Sequence, residues 1–204
     1  SVSAPSIVGD DTNTGISFPS ADTIKFSTGG VERMSITNSG VSGAGKILQV
    51  VSTTKTDVTS QYTGPGSYWD TGLTAQITPS STSNKIFIVG YVMVGIPGPQ
   101  HNIGVSINRG GTIIDGYLGD ADGGRRRIGA GGTNMVQTYD NFVGQINFQY
   151  LDTASSTSAI TFGVSIRNPS SASRTIYMNR ASTDTDSSNH YRTASTITVM
   201  EVSA

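Results

Sequence analysis

Three consecutive arginines, Arg125, Arg126 and Arg127, stand inside a segment rich in glycine and aspartate that runs from 119 to 141. A guanidinium group presents its N–H donors in a flat fork that matches two oxygens of a carboxylate or phosphate. Such a cluster holds anionic groups, or it pairs with Asp120, Asp122 and their neighbours across an interface between chains. Tyr139 in the same segment, and Tyr68 and Trp69 in the Gly/Pro stretch 62–70, offer flat faces that suit the axial C–H groups of a pyranose. A lone tryptophan of this kind more often packs as a lid on its domain, and that is the favoured reading of Trp69. These six residues are the candidate binding set.

Other chemistries find less support. Asp120-Ala121-Asp122-Gly123 and Asp184-Thr185-Asp186 resemble pieces of a calcium loop but lack its full spacing and its terminal glutamate, so both read as turns. His101 and His190 stand far from any zinc-binding arrangement, and no cysteine is present to supply thiolate ligands, disulfides or a nucleophile. No GxSxG elbow occurs. Cleavage of a polysaccharide needs a positioned carboxylate pair. Asp120, Asp122, Asp140 and Glu201 are the candidates, and no β-solenoid repeat is present to carry them. We expect no catalytic residues, no metal and no cofactor.

The 204 residues suffice for one domain and a short appendage. A net charge of −1 with 13% charged residues provides no field for nucleic acid or for an acidic membrane. No run is long and apolar enough for a membrane helix, so no membrane insertion is expected, and the polar start lacks a signal peptide's apolar stretch. Abundant Gly, Ser and Thr with 7% aromatics suit a β protein with many turns.

The elements that must position the candidates are strands. The longest apolar run, 84–96, alternates Ile86, Ile88, Val92, Val94 and Ile96 on one face with Phe87, Val89, Tyr91 and Met93 on the other. A strand in a sandwich needs one apolar face, so the second asks for a cover, either another copy of the chain or a loop of its own. Further strands are expected at 46–54, 72–79, 103–108, 112–118, 142–151, 159–167, 174–179 and 192–202, with 142–151 and 159–167 joined as a hairpin. Their spacing of about 10–12 residues predicts an all-β, antiparallel, jelly-roll-like sandwich.

Residues 1–45 differ. Gly15–Phe18, Thr23–Phe26 and Met34–Ile36 are very short alternating segments between polar turns, too short to bury a core unless neighbouring chains wrap together. An irregular arm held by one subunit is the alternative reading. The string from Asp11 to Val41, with Gly29-Gly30 followed by Glu32-Arg33-Met34, resembles the stem repeat of bacteriophage tail fibres. From residue 46 onward the order of elements is similar to the heads of such fibres: Asp70-Thr71-Gly72-Leu73, Ile77-Thr78-Pro79, Asn84-Lys85-Ile86, Gly119-Asp120-Ala121 before the arginines, Tyr177-Met178-Asn179-Arg180, and the ending from Ala194 to Glu201.

The resemblance implies a stem at 1–45, a sandwich head at 46–204, and a homotrimeric virion fibre continuing upstream. Its head would attach to a host-surface receptor, for which a glycan is the expectation. The family pattern includes the arginine loop, which gives weight to an interface role there; the segments 96–102 and 131–141 follow no shared pattern. A depolymerising tip and a capsid decoration fibre without a receptor are the alternatives.

Overall fold

The short segments at the start of the chain pair into a meander, and the longer ones form two larger sheets. The computed structural model describes residues 7–8, 13–43, 47–96, 102–131 and 141–204. The chain divides into two units, Ser1–Leu48 with Val202–Ala204, and Gln49–Glu201.

In the first unit, β1 (Ile7–Val8), β2 (Gly15–Ser17), β3 (Ile24–Thr28), β4 (Val31–Thr37) and β5 (Gly40–Gly43) are hydrogen-bonded in chain order, each antiparallel to the next. Gly29 and Gly30 form the two-residue turn between β3 and β4 with φ of +60° and +74°. Positive φ at both central positions is what a tight hairpin of matching twist requires, so this Gly-Gly is a backbone necessity. Register sets Ile16 beside Phe26 and Phe26 beside Met34, and sets Ile24 beside Ile36 and Ile36 beside Val41. Two apolar rows therefore share one face of the meander. None of the six is buried; among the described residues of this unit only Ser35 is.

The second unit continues with β6 (Ile47–Lys55), which spans the division, β7 (Thr59–Thr63), β8 (Tyr68–Ile77), β9 (Lys85–Gly95), β10 (Gly104–Arg109), β11 (Thr112–Ile113), β12 (Ala130–Gly131), β13 (Gly144–Thr153), β14 (Ile160–Arg167), β15 (Arg174–Met178) and β16 (Ser195–Val202). One sheet runs β11-β10-β14-β8 with β12 beside β10, and the other runs β6-β16-β9-β15-β7 with β13 beside β9. β8, β10 and β14 lie in the first sheet while β9, β13 and β15 lie in the second, so the chain crosses repeatedly between layers in the manner of a jelly roll. The only helical residues described are a 3₁₀ turn at Asp115–Tyr117.

One core lies between the layers, with Leu73, Ile77, Val105, Ile107, Phe162 and Val164 from the first sheet and Ile88, Val92, Ile146, Phe148, Ile176 and Ile197 from the second. The fold is an all-β antiparallel sandwich, as the period-2 patterns predict. In β9 the face bearing Ile86, Ile88, Val92 and Val94 is buried, and Phe87, Val89, Tyr91 and Met93 on the other face are half-buried.

Three expectations need correction. β13 and β14 do not form a hairpin: β13 pairs with β9 along ten residues, while β14 pairs with β10 and β8 in the opposite sheet. Both strands face the same core, and an inward period-2 stripe is the same for partners in one sheet as for strands on opposite sheets. Tyr68 and Trp69 are the first residues of β8 and not part of a loop. The expected strand at 112–118 stops at Ile113, where the chain turns into the 3₁₀ segment.

Candidate functional site

The candidate site assembles where the start of β8 meets the end of β14. Register places Tyr68 opposite Arg167, and the arginine segment lies beside them. Together Tyr68, Ile113, Asp115, Leu118, Gly123, Gly124, Arg125, Arg126, Arg127 and Arg167 line a concave depression of about 520 Å³.

Arg167 ties three segments together. Its Nε donates to the Gly66 carbonyl at 2.9 Å, and Nη1 donates to the Tyr68 hydroxyl at 3.3 Å and to the Arg127 carbonyl at 2.5 Å. The guanidinium also lies over the Tyr68 ring, 4.8 Å from its centroid, a cation–π contact. None of these partners is a carboxylate, so the charge of Arg167 is not neutralised by them. Gly66 has φ of +74°, and a Cβ there would overlap the guanidinium of Arg126. L side chains rarely adopt that φ, so the backbone itself favours glycine there.

Arg125 forms an exposed ion pair with Asp122, an arrangement worth about 0–1 kcal/mol. Arg127 donates from Nε to the Gly119 carbonyl at 2.6 Å and pairs through Nη1 with Asp115 at 2.7 Å. Gly129 N–H bonds the Val105 carbonyl at 3.1 Å, so the end of the segment is pinned to β10. Arg126 is exposed and forms no ion pair among the described residues. The arginines expected to act together thus divide into two that are paired with nearby aspartates of their own chain and one that is not.

The other candidates lie elsewhere. Trp69, opposite Ile166 in the sheet, is half-buried and packs against the core. Tyr139 lies outside the described residues. Of the carboxylates considered for catalysis, Asp122 is held by Arg125, Asp120 accepts from the Ala121 N–H, Glu201 is buried, and Asp140 is outside the described residues. Asp184 pairs with Arg192 at 2.7 Å and with Arg180 at 3.6 Å. Among the described residues no group of three or more His, Asp or Glu is arranged to hold a metal ion.

Sequence reading missed Arg167 and its neighbour Asn168. Asn168 is fully buried; its Nδ2 donates to the carbonyls of Thr63 and Ala172 at 2.9 and 2.8 Å, and its Oδ1 accepts from the N–H and hydroxyl of Ser170. Its backbone also bonds both Gly66 and Ser67, so it fixes the turn on which Arg126 and Arg167 bear. Asn168→Ala removes four hydrogen bonds, the one to the Thr63 carbonyl fully buried, and we expect a loss of about 2–4 kcal/mol. In calorimetry the melting temperature should fall by roughly 5–15 °C; an unchanged melting temperature would mean the turn is held by its backbone alone.

Neither a protein-family model nor a curated protein matches the chain. Among solved structures it is similar to that of the infectious bursal disease virus Gx strain (TM-score 0.41, 13% identity, 89% of this chain and 41% of that one). It is also similar to the VP2 subviral particle of the same virus (TM-score 0.38, 10% identity, 88% and 50%). A third is a bacterial lipoprotein from Bacteroides thetaiotaomicron (TM-score 0.33, 9% identity, 78% and 94%). The chain spans half or less of the length of the two viral chains. Likeness this distant carries no argument about function.

Proposed function

We propose that this chain is the tip of a bacteriophage tail fibre, a virion protein that assembles as a homotrimer and attaches to a host-cell surface without cutting it. The observation that carries the proposal is the open apolar face of the meander. Ile16, Phe26 and Met34 in one row and Ile24, Ile36 and Val41 in the other are left half-buried or exposed by a single chain. At about 25 cal/mol per Å² of apolar surface removed from water, identical chains wrapping these rows together supply the stability that two- to seven-residue strands lack. The half-buried outer face of β9 adds a second such surface. The number three, and the host surface as target, rest on the resemblance of 11–41 to fibre stem repeats.

Two measurements test this. Light scattering should return three times the 21.2 kDa chain mass; a monomer at micromolar concentration would overturn the assembly, and a dimer would overturn the trimeric form. Fluorescently labelled protein should decorate some members of a panel of bacterial strains and release no reducing ends from their purified polysaccharide. Release of reducing ends would replace attachment alone with depolymerisation, and decoration of no strain would favour a decoration fibre without a receptor.

A further inference from the structure

The depression described above has an uneven charge distribution. Four arginines line it against one carboxylate, Asp115, which Arg127 engages, while Asp122 engages Arg125. That leaves Arg126 and Arg167, and both bear on Gly66: Arg167 by its 2.9 Å hydrogen bond to the carbonyl, Arg126 by packing where a Cβ would otherwise sit. Two like charges brought to one glycine, with no carboxylate paired to either among the described residues, repel each other, and an anion between or beside them relieves that repulsion. Beside them Tyr68 keeps 36% of its surface exposed; Arg167 lies over one face of its ring, so the exposed remainder of that side chain is what adjoins the cationic corner.

We infer that the corner formed by Tyr68, Arg126 and Arg167 binds an acidic pyranose, the oxyanion facing Arg126 and the sugar ring lying against Tyr68. The assignment rests on the reading of this chain as a surface-attachment protein and names the class of group that it recognises. Arg126 is the direct ligand, because its donors are uncommitted among the described residues. Arg167 spends its Nε and Nη1 on Gly66, Tyr68 and Arg127, so it places the Tyr68 side chain and contributes charge. The oxyanion is a carboxylate or a phosphate, since both present paired oxygens to a guanidinium fork.

Titration calorimetry with the full chain separates the possibilities, using trigalacturonate, its methyl ester and galactose 6-phosphate as probes. At least one charged probe should bind at millimolar concentration or tighter and the neutral ester at least about tenfold more weakly, the value of a hydrogen bond to a charged group. The better of the two charged probes identifies the oxyanion. Arg126→Gln should weaken binding by a similar factor and Tyr68→Ala should weaken it further, while Arg192→Gln, which removes the same charge away from the depression, leaves it within about twofold. Equal loss in Arg192→Gln, or unchanged binding in Arg126→Gln, overturns the site. If no charged probe binds but the protein decorates cells, this inference falls and the attachment reading stands. If neither occurs, both fall.

Discussion

Glu201→Ala is expected to lower the stability of the sandwich by about 3–5 kcal/mol, measured by urea denaturation at neutral pH. Glu201 is 1% exposed, and its Oε1 accepts the Ser80 N–H at 2.6 Å, the Ser80 hydroxyl at 2.8 Å and the Asn84 side-chain amide at 2.7 Å. No ion pair among the described residues includes it. The carboxylate therefore closes the crossing between β8 and β9 onto β16 through directed donors, and truncation removes the charged acceptor that the buried Asn84 amide and the Ser80 N–H and hydroxyl share. Burial pushes the Glu201 carboxyl up, but the hydrogen bonds from Asn84 and Ser80 and a backbone bond from Ser81 outweigh it and hold it below the ordinary value of 4.5. A depressed folded value means the unfolded chain takes up the proton first as acid is added. The contribution is complete above pH 4.5 and is lost as the pH falls through the lower folded value. Glu201→Gln should accordingly be less stable at neutral pH and show a flatter stability profile in acid; a profile as steep as that of the parent protein would exclude Glu201 as its source.

Phe162→Ala should cost about 3–5 kcal/mol, the range for removing a buried aromatic ring, and lower the melting temperature by roughly 6–20 °C. Phe162 is fully buried on β14, opposite Ala75 of β8 and Arg109 of β10. The Arg109 guanidinium lies 5.5 Å from the ring centroid and also pairs with Asp152 and donates to the Thr153 carbonyl at 2.5 Å, both on β13 of the opposite sheet. The ring thus supports a cation that ties the two layers together, and its loss opens a void and loosens that tie. Phe162→Leu retains most of the volume and should cost about 1–1.5 kcal/mol. A cost below about 1 kcal/mol for the alanine variant would show that the site collapses around the void.

Most strands could be read from the chain because alternation is local. Ile146 and Phe148 between Gln145, Asn147 and Gln149, or Ile197 and Val199 between Thr196, Thr198 and Met200, define an inward face without reference to any other residue. β5 and β7 escaped notice because GVSG and TSQYT carry little apolar alternation; β7 forms by pairing with β15 along its whole length. The hairpin between β13 and β14 failed for a different reason: periodicity states which face is buried and is silent about the partner.

The amino-acid sequence alone determined the all-β class, the buried faces of β9, β13, β14 and β16, and the presence of an arginine-rich segment beside short aromatic stretches. Each follows from side chains a few residues apart. The tertiary structure decided which sheet holds each strand, that Trp69 packs inward while Tyr68 faces the depression, and that, among the described residues, Arg125 and Arg127 have ion-pair partners and Arg126 has none. It also brought Arg167, ninety-nine residues from Tyr68, onto that ring. These choices depend on strand register and on the backbone approach at Gly66, which join residues far apart in sequence and leave no periodic signal in the chain.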